Sequence, residues 1–246
     1  MDRLITALKN FLLPGSCNLC REPLNYNQSS FCGQCIAELP YLDSQCQRCA
    51  KPLVYSGICP ECQKKPPNFR RCVAAFNYQQ PINKSIVRIK NDAHTPDLKQ
   101  LSLLLADRVL ENYEVDRIPE ILIPMPLHWL TLLRRGFNQS HLIANMLATK
   151  LPNCTVRTDI CRRKNYGKPQ HLRTRQQRWR FMANAFSAQY KSTVKDLRVA
   201  LIDDVVTTGA SATAATDSLL KVGFKSVDLW CIARTGWHNR PSSIKI

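Results

Sequence analysis

An α/β domain on a largely parallel sheet, preceded by a small module stapled by metal, is the architecture this sequence predicts. Two observations carry that expectation. Eight of the twelve cysteines form four Cys-x-x-Cys pairs within the first 62 residues, and beyond residue 72 short apolar runs alternate with longer amphipathic stretches. Such alternation is the pattern of buried parallel strands joined by helices. The 246 residues suffice for one ordinary domain with a sizeable core plus a small module. An apolar content of 44% and a charged content of 22% exclude a disordered or fibrous chain.

Residues 1–16 read as a short amphipathic helix, with Leu4, Ile5, Leu8, Phe11 and Leu12 on one face. Asp2 and Lys9 interrupt the apolar run too early for a secretory leader, and no later stretch approaches 18 apolar residues. The expectation is a cytoplasmic protein with no membrane span, where thiols stay reduced and clustered cysteines bind metal.

The pairs are Cys17/Cys20, Cys32/Cys35, Cys46/Cys49 and Cys59/Cys62, separated by 11, 10 and 9 residues. One Cys-x-x-Cys turn puts two thiolates on an ion, and a second completes a tetrahedral sulfur site. Sulfur favours Zn²⁺ over oxygen-loving ions, with tetrahedral iron as the alternative. Sequential pairing places Cys17, Cys20, Cys32 and Cys35 on one ion and Cys46, Cys49, Cys59 and Cys62 on the other. A cross-braced arrangement fits the same spacing. With every ligand position filled, both ions are structural. They supply on the order of 10 kcal/mol per site to a module, residues 17–65, too small to fold on its own core. Residues 1–65 hold 7 Lys+Arg and 5 Asp+Glu, so eight metallated thiolates leave this part slightly negative. A structural brace or adaptor fits it better than a nucleic-acid-binding finger.

Pro66-Pro67 opens a linker over 66–71, because proline continues neither a helix nor a strand ladder. In the second domain, 72–246, strands are expected at 73–78, 121–127, 198–206 and 227–233, and helices at 82–90, 98–110, 137–151 and 209–223. In such sheets ligands sit at the carboxyl ends of the strands.

The stretch from Val199 to Ser211 is the informative one. Four apolar residues end on Asp203-Asp204, and Thr207-Thr208-Gly209-Ala210-Ser211 then opens a helix. Successive backbone amides in a small loop at a helix N-terminus make a cradle for phosphate. Carboxylates beside that cradle must serve hydroxyls or a hydrated Mg²⁺. A ribose 5-phosphate has the matching shape.

This stretch resembles the 13-residue motif of type I phosphoribosyltransferases. In those enzymes the acidic pair holds the ribose hydroxyls of phosphoribosyl pyrophosphate, bound with Mg²⁺, and the loop binds its 5-phosphate. The resemblance implies that Asp203 and Asp204 contact the ribose and the transition state, and that Thr207, Thr208, Gly209, Ala210 and Ser211 hold the phosphate. Where hypoxanthine-type enzymes carry a proton-accepting Asp, this chain has Thr207, a departure from that purine-salvage pattern. Taken with the eight paired cysteines, PMPLHW (124–129), RRGFNQ (134–139), DDVVTTGAS (203–211) and CIART (231–235), nearly the whole chain is similar to ComF/GntX-type proteins. That family couples a double zinc ribbon to a phosphoribosyltransferase-like domain. It is tied to DNA uptake, competence and the use of external DNA. Its phosphoribosyl acceptor is not established.

Residues 162–180 hold eight Lys/Arg and no acid, with Tyr166 and Trp179 interleaved. Arg173, Arg175, Arg178 and Arg180 are candidates to stabilise pyrophosphate in a closing loop or to grip nucleic acid. Lys90, Arg134 and Arg135 are candidates for further positive charge near the site. Residues 66–246 carry 28 Lys+Arg against 13 Asp+Glu, an excess suited to phosphorylated small molecules or DNA. Three functions are consistent with this: Mg²⁺-dependent phosphoribosyl transfer to an unnamed acceptor, an accessory role on single-stranded DNA or a DNA-uptake or recombination protein, and ligand sensing without turnover.

Overall fold

The computed structural model describes residues 15–24, 30–164, 184–190 and 197–236. The expected N-terminal helix, apart from its last two residues, lies outside the described residues. So does the basic run from residue 165 onward, with Arg173, Arg175, Arg178 and Arg180.

The N-terminal module holds two short helices, α1 (Gly33–Ala37) and α2 (Pro60–Lys64). The larger domain begins with β1 (Cys72–Asn77), α3 (Ile82–Asn91), α4 (Pro96–Asn112) and β2 (Ile121–Pro124). It continues with α5 (Trp129–Arg135), α6 (Gln139–Lys150), β3 (Thr155–Val156) and the antiparallel hairpin β4 (Cys161–Arg163) and β5 (Phe186–Ala188). Then come β6 (Arg198–Val206), α7 (Ala210–Lys221) and β7 (Ser226–Arg234). Five strands form one parallel sheet in the order β1–β7–β6–β2–β3.

Both faces of the sheet are covered, so its strands read as near-continuous apolar runs. On one face Leu122, Ala200, Ile202, Trp230 and Ile232 meet α3, α4 and α6. On the other, Ile123, Val199, Leu201, Leu229 and Cys231 meet α7, the hairpin and the second half of the N-terminal module. Large side chains fully buried here, such as Trp230, Leu122 and Ile123, each contribute about 1.5–3 kcal/mol through the water they shed.

The module is two copies of one motif. Cys17-Asn-Leu-Cys-Arg-Glu-Pro-Leu24 and Cys46-Gln-Arg-Cys-Ala-Lys-Pro-Leu53 share their Cys and Pro-Leu positions. In each, the residue after the second cysteine, Arg21 or Ala50, takes a positive φ, and its amide donates to the first cysteine's carbonyl at 2.9 Å. The bridges Ser16–Pro23 and Gln45–Pro52 close the two knuckles at the same offsets. Helices α1 and α2 each start one residue after the third cysteine of their set, capped by Cys32 and Cys59.

The module is built into the larger domain. The amide of Leu42 donates to the Ala75 carbonyl (3.1 Å) and that of Asn77 to the Pro40 carbonyl (2.8 Å), so the segment between the two knuckles covers the outer edge of β1. The fully buried Asp97 of α4 accepts from Ser30 Oγ (2.6 Å), Asn18 Nδ2 (2.7 Å) and Arg88 Nε (2.7 Å), which ties the first ribbon to α3 and α4. Residues 66–71 lie against the sheet, with Phe69 buried and Arg70 paired to buried Asp228. No helix among the described residues is long and apolar enough to cross a membrane.

Candidate functional site

The metal-ligating cysteines fall into two sequential sets, Cys17, Cys20, Cys32, Cys35 and Cys46, Cys49, Cys59, Cys62. The cross-braced alternative is therefore not adopted. The sulfurs of Cys20 and Cys32, and of Cys49 and Cys59, lie 3.7 Å apart. Four sulfurs at about 2.3 Å from a tetrahedral ion stand about 3.8 Å from one another, so both sets fit Zn²⁺. Backbone amides also point at the sulfurs, from Cys32 to Cys17 Sγ at 3.4 Å and from Cys59 to Cys46 Sγ at 3.3 Å. Burial pushes both thiols up, but these and neighbouring amide donors outweigh it and bring Cys17 to about 6 and Cys46 to about 7, whereas burial and the neighbouring thiols push Cys35, Cys49 and Cys62 up.

The second site lies at the carboxyl edge of the sheet. Strand β2 leads outward to β3, whereas its neighbour β6 leads the opposite way to β7. The crevice between the ends of β6 and β2 is the switch point where open parallel sheets bind ligands. Asp203 and Asp204 emerge there from β6, followed by residues 207–211. Gly209 has φ +78°, a left-handed turn that suits glycine, and it caps α7. The loop and Asp203 line a small open pocket of about 60 Å³.

The two carboxylates differ in surroundings. Asp204 is buried, and one of its oxygens meets Lys90 Nζ at 3.0 Å and Gln139 Nε2 at 3.5 Å. Asp203 is half-buried, and its Oδ1 accepts from Ser140 Oγ at 3.3 Å and from the Asp204 amide at 2.9 Å. Burial, and then the neighbouring Asp204 charge, push the Asp203 carboxyl well above the usual carboxylate range. That is the condition of a carboxylate suited to a cation or a hydroxyl donor. Hard oxygens of this kind fit Mg²⁺.

Four supporting residues come from the RRGFNQ stretch and the Ser that follows it. Asn138 caps α6 by accepting from the Ser140 amide (3.0 Å) and donates to the Met125 carbonyl at the end of β2 (3.1 Å). The cap aims Gln139 and Ser140 at the acidic pair. Arg135 donates to Gln139, and burial lowers its pKa while Asp204 opposes that effect. Lys90 was a sequence candidate and lies on Asp204. Gln139 and Ser140 were not, since uncharged polar residues at a helix start carry no distinctive signal. The clue available was their place just after an Asn cap.

At the opposite end of the same loop, Arg234 closes β7 and is 2% exposed. It donates to the Val206 carbonyl (2.8 Å), to the Thr207 carbonyl and, through Nε, to the Cys49 carbonyl (2.9 Å). Of the basic run, Arg162 and Arg163 lie on β4, and the remainder from residue 165 is outside the described residues.

The double zinc ribbon domain profile matches residues 8–63. The DNA utilization protein YhgH of Shigella flexneri is 31% identical over 230 residues, covering 91% of this chain and 98% of that protein. Competence protein F of Haemophilus influenzae is 31% identical over 227 residues, covering 89% and 96%. Among solved structures, the purine phosphoribosyltransferase from Pyrococcus horikoshii superposes with a TM-score of 0.35 and 18% identity, covering 56% of this chain and 72% of that one.

Proposed function

The chain belongs to the ComF/GntX-type family of DNA utilization and competence proteins, and from that premise we propose that it binds phosphoribosyl pyrophosphate with Mg²⁺ at the end of β6. The observation that carries this reading is the acidic pair at the switch point, with the 207–211 loop turning directly into α7. The amides of the loop, with the hydroxyls of Thr207, Thr208 and Ser211, would grip the 5-phosphate, helped by the positive end of the α7 dipole. Asp203 and Asp204 would accept from the ribose hydroxyls, and Lys90 keeps Asp204 compensated in its buried place. Mg²⁺, when bound, would neutralise pyrophosphate oxygens.

The reading extends to phosphoribosyl transfer, with Arg173, Arg175, Arg178 and Arg180 stabilising the departing pyrophosphate. It puts the work in the handling of incoming DNA, which the relatives' names support, and, from the clustered cysteines, in the reducing cytoplasm. The ribbons, residues 17–65, hold the domain rather than the ligand.

Calorimetric titration of zinc-loaded protein with phosphoribosyl pyrophosphate and Mg²⁺ tests this, beside the double variant Asp203→Asn/Asp204→Asn. Binding by wild type that weakens at least about a hundredfold in the variant is expected, since two charged contacts are lost. No binding by folded wild type would move the function to single-stranded DNA or a protein partner, the reading that the excess charge of residues 66–246 favours.

A further inference from the structure

The two ribbons repeat one motif, but among the described residues only the second meets the 207–211 loop. Arg234 makes that contact. Its guanidinium spans three pieces of backbone: the Cys49 carbonyl inside the second knuckle, the Val206 carbonyl at the end of β6, and the Thr207 carbonyl where the loop begins. Thr235 reinforces it, its amide donating to the Val206 carbonyl (3.1 Å) and its Oγ1 to the Thr207 carbonyl (3.3 Å). The Cys49 carbonyl is set by the metal turn itself, because Cys49 is a ligand and Ala50 beside it is held at positive φ. A cavity of about 230 Å³ lies on this seam, with Cys49 and Cys62 on one wall and Thr208, Gly209 and Ala210 on the other. Among the described residues, Arg234 is the hydrogen-bonded link from the loop's first residue to the second ribbon, beside that cavity.

From this geometry we infer that Arg234 is a positioning residue that makes the shape of the 207–211 loop depend on the second metal site and not on the first. A buried guanidinium needs an acceptor for each N–H group. If the second knuckle shifts, Arg234 loses one acceptor and turns toward others, and the carbonyls of residues 206 and 207 move with it. The amides that follow those carbonyls are the ones that face a phosphate. Groups that orient metal ligands from behind commonly alter affinity tenfold or more when removed, and here the effect runs from the metal turn to an anion loop. The first ribbon is anchored elsewhere, on Asp97 through Asn18 and Ser30.

The coupling can be read without any ligand, although its consequence for affinity rests on the phosphoribosyl reading. Amide hydrogen exchange of residues 206–211 would be measured in zinc-loaded wild type, Arg234→Lys, Cys49→His and Cys20→His. Histidine keeps each site four-coordinate while changing its turn. Lysine keeps the charge but cannot reach three carbonyls at once. The expected result is exchange about tenfold faster in the loop for Arg234→Lys and Cys49→His, with Cys20→His and the α4 amides unchanged. The Cys49→His arm keeps the inference open to refutation should Arg234→Lys not fold. Loop protection equal to wild type in Cys49→His, or an equal loss in Cys20→His, would overturn it. By linkage, phosphoribosyl pyrophosphate with Mg²⁺ should raise the zinc affinity of the second site, and not of the first, by the factor by which that site tightens ligand binding, about tenfold, as read by chelator competition. Wild type that fails to bind it while the loop still answers to Cys49→His would refute the ligand reading and leave the coupling standing. Binding with both zinc affinities unaltered would overturn the coupling.

Discussion

Asp203 and Asp204 are adjacent in sequence and unequal in cost. Asp204 is compensated by Lys90, whereas Asp203 carries a burial penalty and the repulsion of its neighbour. Its pKa is higher folded than unfolded, so the folded state binds the extra proton. Below the unfolded carboxylate pKa there is no penalty. As pH rises from there through the folded value stability falls, and above that value the loss is constant. Asp203→Asn is thus expected to raise the melting temperature of the unliganded protein at neutral pH by about 2–4 °C, the shift of about 1 kcal/mol in a domain of this size. The gain should vanish toward pH 4, the usual carboxylate pKa. Calorimetric scans across pH would check it. A variant no more stable than wild type at pH 7 would mean that a neighbour already compensates Asp203. The same substitution should weaken ligand binding, so stability and function would move in opposite directions at one carboxylate.

Helix α6 shows how an element delivers side chains to a site. Its Asn138 cap fixes the first turn, and that turn carries Gln139 and Ser140 to the acidic pair. Asn138→Ala is expected to cost about 1 kcal/mol of stability and to weaken ligand binding severalfold; denaturant unfolding and calorimetry would measure the two effects. If stability fell and affinity did not, the turn would be held without its cap by Arg135 through Gln139. Elements were legible where one face is apolar. The strand at 198–206 and the helices at 82–91 and 139–150 follow such runs to within two residues. Helix α5 was not legible, because it buries no residue: Trp129, Leu130, Leu132 and Leu133 are all exposed, and no face repeats. Strands β3, β4 and β5 are two or three residues long, too short to show a period. The four cysteine pairs were legible from spacing, but their grouping into two sets was not, because a cross-braced arrangement fits the same spacing. The repeated Cys-x-x-Cys-x-x-Pro-Leu and the link from Arg234 to Cys49 were not drawn from it, since the latter joins residues 185 apart and exists only once the sheet is folded.

At the scale of the whole molecule, the ribbons complete cores that the sheet begins. Cys46, Cys49, Cys59 and Cys62 lie in one apolar cluster with Ile123, Leu201 and Leu229, and Cys17 and Phe31 lie in the other with Trp230. Removing zinc should therefore lower the melting temperature of the entire chain in a single transition, rather than release a module beside an intact domain. Thermal scans with near-ultraviolet detection of Trp230, taken with and without a chelator, would check this. A second, unchanged transition after chelation would mean that the sheet domain stands alone. At this scale the proposed ligand site lies at the sheet edge, with the second metal turn behind it.

The sheet order carries a consequence for how the chain is made. Strand β1 has one strand partner, β7, and residues 72–77 meet residues 229–234 across nearly the whole sequence. A ribosome delivers the ribbons first and their partner strands last. During that interval the knuckles can already hold zinc, while β1 keeps one edge open and the ribbon's inner surface, Phe31 and Leu42 included, has nothing to cover it. Contacts so distant in sequence close slowly, and a chain waiting on them is exposed to pairing with other chains. Zinc captured early would therefore serve synthesis as well as the finished fold: it would keep residues 17–62 together until the last strand arrives.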